Sequence, residues 1–237
     1  MPSVPSSPSP DAMPHRWGLG AFVVVEVVYL VASLALALLV GEDPPVAAIA
    51  LVVAGPALLA AVLAVAITRL RGNGPRTDLK LVWSRPAMAV GLLFGAGGLV
   101  VTIPAAMLWV QIVGQDANSA AGEVFGGLRG GWPSAVLVFV VIVVVAPVCE
   151  EIMYRGLLWG AVDRRWGRWA ALVITTVVFA LAHLEWTRAP LLVVVAIPIA
   201  LARLYTDNLV ASIAAHQVTN LLPGLVLMFT VAGAVPA

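Results

Sequence analysis

Long apolar runs, each closed by glycine, proline or charge, dominate the chain. The first extends from Trp17 to Val40, the second from about Pro45 to Leu70 and the third from Ala87 to Val113. A fourth begins near Pro133 and is apolar to Cys149. It then keeps a helical pattern through an acidic and arginine-bearing stretch to about Val162. Three more follow at Trp169–Trp186, Pro190–Tyr205 and Leu209–Val231. An α-helix needs roughly 20 apolar residues to cross a bilayer core. No strand-like alternation rises above these runs. They predict an all-α, polytopic transmembrane helical bundle of about seven spans, six to eight at the limits. The sixth run is short and holds Pro198, so its ends are the least defined.

Composition narrows the class further. Apolar residues make up 62% of the 237 residues and charged residues 11%. A soluble domain has about 45–50% and about 25% respectively. A soluble globule and a disordered chain are both excluded. The net charge is +1, with no basic patch of the kind that attracts a polyanion, so nucleic acid is not an expected partner. The single cysteine, Cys149, excludes an intrachain disulfide and a CxxC metal site. Residues 1–16 are rich in proline and serine and lack a basic n-region, so they read as a disordered tail and not a signal peptide.

Basic residues also predict orientation. With seven spans, ten lysines and arginines fall on the side of the N-terminus and two, Arg129 and Arg188, on the other. The positive-inside rule then places the N-terminus in the cytoplasm and the C-terminus outside. Gly91 and Gly95 form a GxxxG in the third span, expected to serve close helix packing within the chain. Trp159, Trp166, Trp169 and Trp186 read as interfacial anchors.

Charge inside the apolar runs is the signal for chemistry, because a charged group at mid-bilayer costs about 2.5–3.5 kcal/mol on insertion scales. The fourth span carries Glu150, Glu151 and Arg155, the fifth His183, and the seventh His216 with Asn220. Outside these helices the clear mid-span charge is Glu26, a helix–helix contact or a cavity-lining group. Glu151 and Arg155 stand four apart on one helix face, acid first, the favoured order for an ion pair. Glu150 lacks such a partner and points elsewhere, as a carboxylate free to act as a base. Pro147, one turn earlier, is expected to kink the helix and free a backbone carbonyl near the site.

His216 and Asn220 share one face, as do Phe179 and His183. Glu150 lies 15 residues before Arg165, at the turn between two spans, and His183 lies 18 after it. An antiparallel hairpin brings them to similar depth. Three helices thus converge on one intramembrane cavity. A carboxylate and an imidazole can deprotonate water, while a second imidazole and a carboxamide can donate to an oxyanion. Glu150, His183 and His216 are the alternative zinc ligands, with a fourth position for water. That signal is incomplete, since no HExxH is present, and metal-free catalysis is the preferred reading.

These residues resemble the CPBP family of type II CAAX prenyl endopeptidases and Abi-like bacteriocin-processing or immunity proteins. Its EExxxR motif reads EEIMYR here, Glu150 to Arg155. Its FxxxH reads FALAH, Phe179 to His183, and its HxxxN reads HQVTN, His216 to Asn220. The likeness covers about Pro133–Leu222. It implies an intramembrane endopeptidase in which Glu150 and His183 activate water and His216 and Asn220 stabilise the oxyanion. Glu151, Arg155 and Phe179 would be supporting residues. Residues 17–132 are then N-terminal transmembrane helices and 133–237 the catalytic helical core.

The alanine, valine, arginine and glycine bias, with one lysine, suggests a high-GC bacterial genome. The expected setting is therefore the bacterial plasma membrane. The expected substrate is a membrane protein or membrane-associated peptide, with no prenylated substrate. The competing readings are a non-proteolytic immunity or interaction protein and, more distantly, a transporter with an intramembrane proton relay.

Overall fold

Each apolar run becomes a helix, since only internal hydrogen bonding satisfies the backbone in lipid. The computed structural model describes residues 16–41, 43–114 and 119–235. The disordered tail expected over residues 1–16 lies outside the described residues except for Arg16. In chain order the elements are α1 (Leu19–Leu39), α2 (Val46–Arg71), the short α3 (Pro75–Asp78), α4 (Arg85–Val113) and the short α5 (Ala120–Phe125). One continuous helix of 36 residues follows, Gly131–Trp166. It comprises α6 (Gly131–Val140), a π-helical segment Val141–Val145, α7 (Ala146–Glu151), a second π segment Ile152–Leu158 and α8 (Trp159–Trp166). Then come α9 (Arg168–Ala182), α10 (Ala189–Thr206) and α11 (Leu209–Ala232). No strand occurs among the described residues.

Local chemistry sets several boundaries. The Ser84 hydroxyl accepts from the Ala87 amide at the start of α4, and the Asn208 side chain accepts from the Val210 amide at the start of α11. Gly167, at φ +80°, is the one residue between α8 and α9. A side chain is strained in that conformation, and glycine is not.

Hydrogen bonds between loops sort the helix ends into two groups. At one end the Arg16 amide donates to the Arg71 carbonyl, Arg164 to the Trp17 carbonyl, and the Leu209 amide to the Lys80 carbonyl. At the other end the Trp109 indole donates to the Thr187 carbonyl, the Ala120 amide to Glu185, and the Gly130 amide to the Val231 carbonyl. The helices thus run alternately between the two ends of the bundle, with the start of α1 and the end of α11 at opposite ends.

Six helices are long and apolar enough to span a membrane, and α9 is the shorter apolar helix. The fifth run therefore differs from its expected extent of Trp169–Trp186. It stops at Ala182, and its 15 residues rise about 22 Å against a hydrocarbon core of about 30 Å. The sixth run, by contrast, forms an unbroken 18-residue helix despite Pro198.

The GxxxG pair packs within the chain. A Cβ on Gly91 would lie 2.2 Å from the Ala211 carbonyl oxygen, and one on Gly95 would lie 2.8 Å from that of Ala215. These glycines bring α4 onto α11. Trp159 is a correction: it is buried in the core, where Arg203 lies 5.1 Å from its ring, and is not an interfacial anchor. Trp166, Trp169 and Trp186 are exposed as expected.

Candidate active site

The site is built around the two π segments, which widen the long helix where the motif residues sit. The Ala146 amide bonds back five residues to the Val141 carbonyl, and Pro147 has no amide hydrogen to give. Neither the fourth nor the fifth following residue thus serves the Ile142 carbonyl. Asn220 Nδ2 donates to it at 3.0 Å, tying α11 to the π segment. This is the carbonyl that Pro147 was expected to free. π-Helical turns of this kind concentrate at functional sites.

One turn on, the adjacent glutamates diverge. The Glu151 side chain is fully buried and that of Glu150 is 25% exposed. Glu151 Oε1 takes two partners, Arg155 Nη1 at 3.1 Å and His216 Nδ1 at 3.0 Å. A carboxylate oxygen accepts, so Nδ1 carries the hydrogen of that contact. This orientation turns His216 Nε2 toward Glu150, whose Oε2 lies 3.7 Å away. Glu150, Glu151, Arg155 and His216 therefore form one connected group across α7, the second π segment and α11.

His183 joins this group through an aromatic ring. It sits at the C-cap of α9, where its Nδ1 donates to the Phe179 carbonyl at 2.7 Å. The Phe179 ring lies edge-on to His183 at 4.6 Å and to His216 at 5.7 Å between centroids. The Arg155 guanidinium stands 4.3 Å from the same ring's centre. Phe179 is thus the surface on which both imidazoles and the buried arginine rest. In the neutral ring, the bond from Nδ1 leaves His183 Nε2 as the acceptor.

Among the described residues, no group of three or more His, Cys, Asp and Glu side chains is placed to hold a metal ion. Glu150, His183 and His216, the alternative ligand set, do not form such a group in this arrangement. Cys149 is buried and unbonded to sulfur. Two apolar grooves of about 480 and 510 Å³ lie between α2 and α7 and between α4 and α10, and neither is lined by the motif acids or histidines.

Residues 132–222 match the family model described as type II CAAX prenyl endopeptidase Rce1-like. Over this segment, somewhat over a third of the chain, the sequence is similar to that family. The segment runs from the start of α6 into α11 and holds all three motifs, in agreement with the CPBP resemblance read from them. The matched family is one of proteases, and the long apolar helices around the segment make the chain an integral membrane protein. No curated protein and no solved structure matches the chain.

Two residues missing from the expected site lie beside it. Tyr154, four residues after Glu150, packs edge-on to Phe179 at 5.4 Å. Glu26 of α1 accepts from the Tyr154 hydroxyl. The i, i+4 relation to Glu150 was the available signal for Tyr154. For Glu26 it was a lone carboxylate in an apolar run.

Proposed function

We propose that the chain is an intramembrane endopeptidase of the Rce1-like kind, hydrolysing a peptide bond with water activated by Glu150 and His183. The observation that carries this reading is the placement of Glu150. It is the half-buried acid of the pair, free of Arg155, and it faces His216 Nε2 at 3.7 Å.

In the proposed reaction, the water oxygen attacks the peptide carbonyl carbon and its proton passes to Glu150, with His183 Nε2 as the second acceptor. The carbonyl oxygen becomes an oxyanion. His216 meets it through Nε2, which donates there when it carries a hydrogen. Asn220 meets it with the amide hydrogen not spent on Ile142. Glu150 then returns the proton to the departing nitrogen as the C–N bond breaks. Donors placed in advance on a water-poor site stabilise developing charge more than they do in bulk water. Glu151 and Arg155 hold His216 in register, and no step calls on a metal.

The substrate class this suggests is a membrane protein or membrane-associated peptide without a prenyl group, in a bacterial plasma membrane. The N-terminal end, with its excess of arginine, would face the cytoplasm.

The test is Glu150→Gln in proteoliposomes supplied with a pool of internally quenched peptides, each bearing one apolar span. Glutamine keeps the shape but takes up no proton. Cleavage should fall by about 10²–10⁴-fold, the contribution of a positioned general base, with unchanged accumulation in the membrane. A fully active Glu150→Gln protein would overturn the reading.

A further inference from the structure

The matched domain leaves unexplained one charged group that reaches it from outside. Glu26 is partly buried on α1, more than a hundred residues before the matched segment. A carboxylate there has a cost in lipid that an apolar residue avoids. Both of its oxygens lie 3.2 Å from the Tyr154 hydroxyl, which donates to them. The Tyr154 ring is set edge-on between Phe22 of α1, at 5.6 Å, and Phe179 of α9, at 5.4 Å. Phe179 in turn backs His183 and His216. A continuous line of contacts thus runs from α1 to both imidazoles.

The physical logic is that of a buried phenol. A buried tyrosine hydroxyl needs a hydrogen-bond partner, and its ring orientation follows that partner. With the hydroxyl held by Glu26, the Tyr154 ring is fixed, and the Phe179 ring is fixed against it. Without that acceptor, Tyr154 is free to turn toward another, and the wall behind the imidazoles loses its definition.

We infer that Glu26 is a positioning residue of the active site, contributed by α1, which holds Tyr154 and through it the Phe179 wall that seats His183 and His216. The inference rests on the proposed roles of those histidines. It extends the site beyond the Rce1-like segment to the first transmembrane helix.

The chain has three histidines, so full-length protein carrying ¹³C only in its histidine rings gives three assignable signals in nanodiscs, with His15→Gln and His216→Gln for assignment. Glu26→Leu and Tyr154→Phe should each move the His183 signal, and Glu26→Gln, whose carboxamide oxygen still accepts from tyrosine, should restore it. On a peptide that the wild type cleaves, kcat should fall by about tenfold to a hundredfold with KM little changed, the effect of misplacing reacting groups. The double variant Glu26→Leu with Tyr154→Phe should be no worse than the poorer single variant. Histidine signals identical to wild type in Glu26→Leu, or losses that multiply in the double variant, would overturn the inference. If Glu26→Leu does not accumulate, Tyr154→Phe, which removes a single oxygen, decides the matter by the same signals. The signals need no turnover, so an active Glu150→Gln protein would defeat the proposed reaction and leave this test standing.

Discussion

Replacing Glu151 by glutamine removes one charge from a site where nothing else takes its place. Its side chain and that of Arg155 are both fully buried. The single oxygen Oε1 holds the guanidinium at 3.1 Å and the His216 ring at 3.0 Å. Glutamine retains the volume but leaves Arg155 as an uncompensated buried cation, at a cost of about 3–5 kcal/mol. For a chain of this size each kcal/mol corresponds to about 2–4 °C, so the apparent melting temperature should fall by about 6–20 °C. Glu150→Gln should move it by less than about 4 °C, because that side chain is half-buried and does not pair with the buried arginine.

Exchanging the charges, Glu151→Arg with Arg155→Glu, sharpens the test. An isolated helix would regain its i, i+4 pair. Here the exchange should fail. A guanidinium at 151 would face His216, and a carboxylate at 155 would face the Phe179 ring, which favours a cation. Fluorescence-detected size exclusion after heating measures all four proteins in detergent. A Glu151→Gln protein as stable as wild type, or a charge-exchanged protein restored to wild-type stability, would refute the assignment of Glu151 as the shared anchor of Arg155 and His216.

Three further outcomes are expected. EDTA and phenanthroline should leave peptide cleavage unchanged; a loss reversed by added zinc would show that a metal is required. Gly95→Ala should lower both stability, by about 1–3 kcal/mol, and activity, though it touches no proposed catalytic group. Its Cβ would lie 2.7 Å from Val218 Cβ and 2.8 Å from the Ala215 oxygen, next to His216, and unchanged activity would show that α11 yields there freely. A cysteine placed at Arg76 should react with a membrane-impermeant thiol reagent only from the cytoplasmic side and one at Val235 only from outside. Labelling of both from one side would overturn the seven-crossing topology.

The helices were legible because lipid imposes one strict rule on backbone polar groups, and apolar runs record it directly. The ends were less legible where a side chain, not a breaker, closes the helix. The run was expected to reach Trp186, yet α9 stops at Ala182, where His183 caps the Phe179 carbonyl and Leu184 takes a φ of 57°. Trp159 was misread for a related reason. Proximity to charged residues marks a membrane interface only when those charges face solvent, and Arg203, 98% buried, instead covers the Trp159 ring.

Within the site, the i, i+4 spacings were readable because they are local. They place Glu151 with Arg155, and His216 with Asn220, before any tertiary structure is known. What spacing leaves open is which atom meets which across helices. Pro147 announces a free carbonyl, but only the π register identifies it as that of Ile142, and only the fit of α11 brings Asn220 to it. The contact between Glu151 and His216 joins residues 65 apart, and that between Glu26 and Tyr154 joins residues 128 apart. Such pairings depend on how closely helices approach. On α4 and α11 that approach is set by glycines: a Cβ on Gly224 would lie 2.4 Å from Val143, in the first π segment. The residues that set the geometry of the site are therefore in part those with no side chain, and a search limited to ionisable groups passes over them.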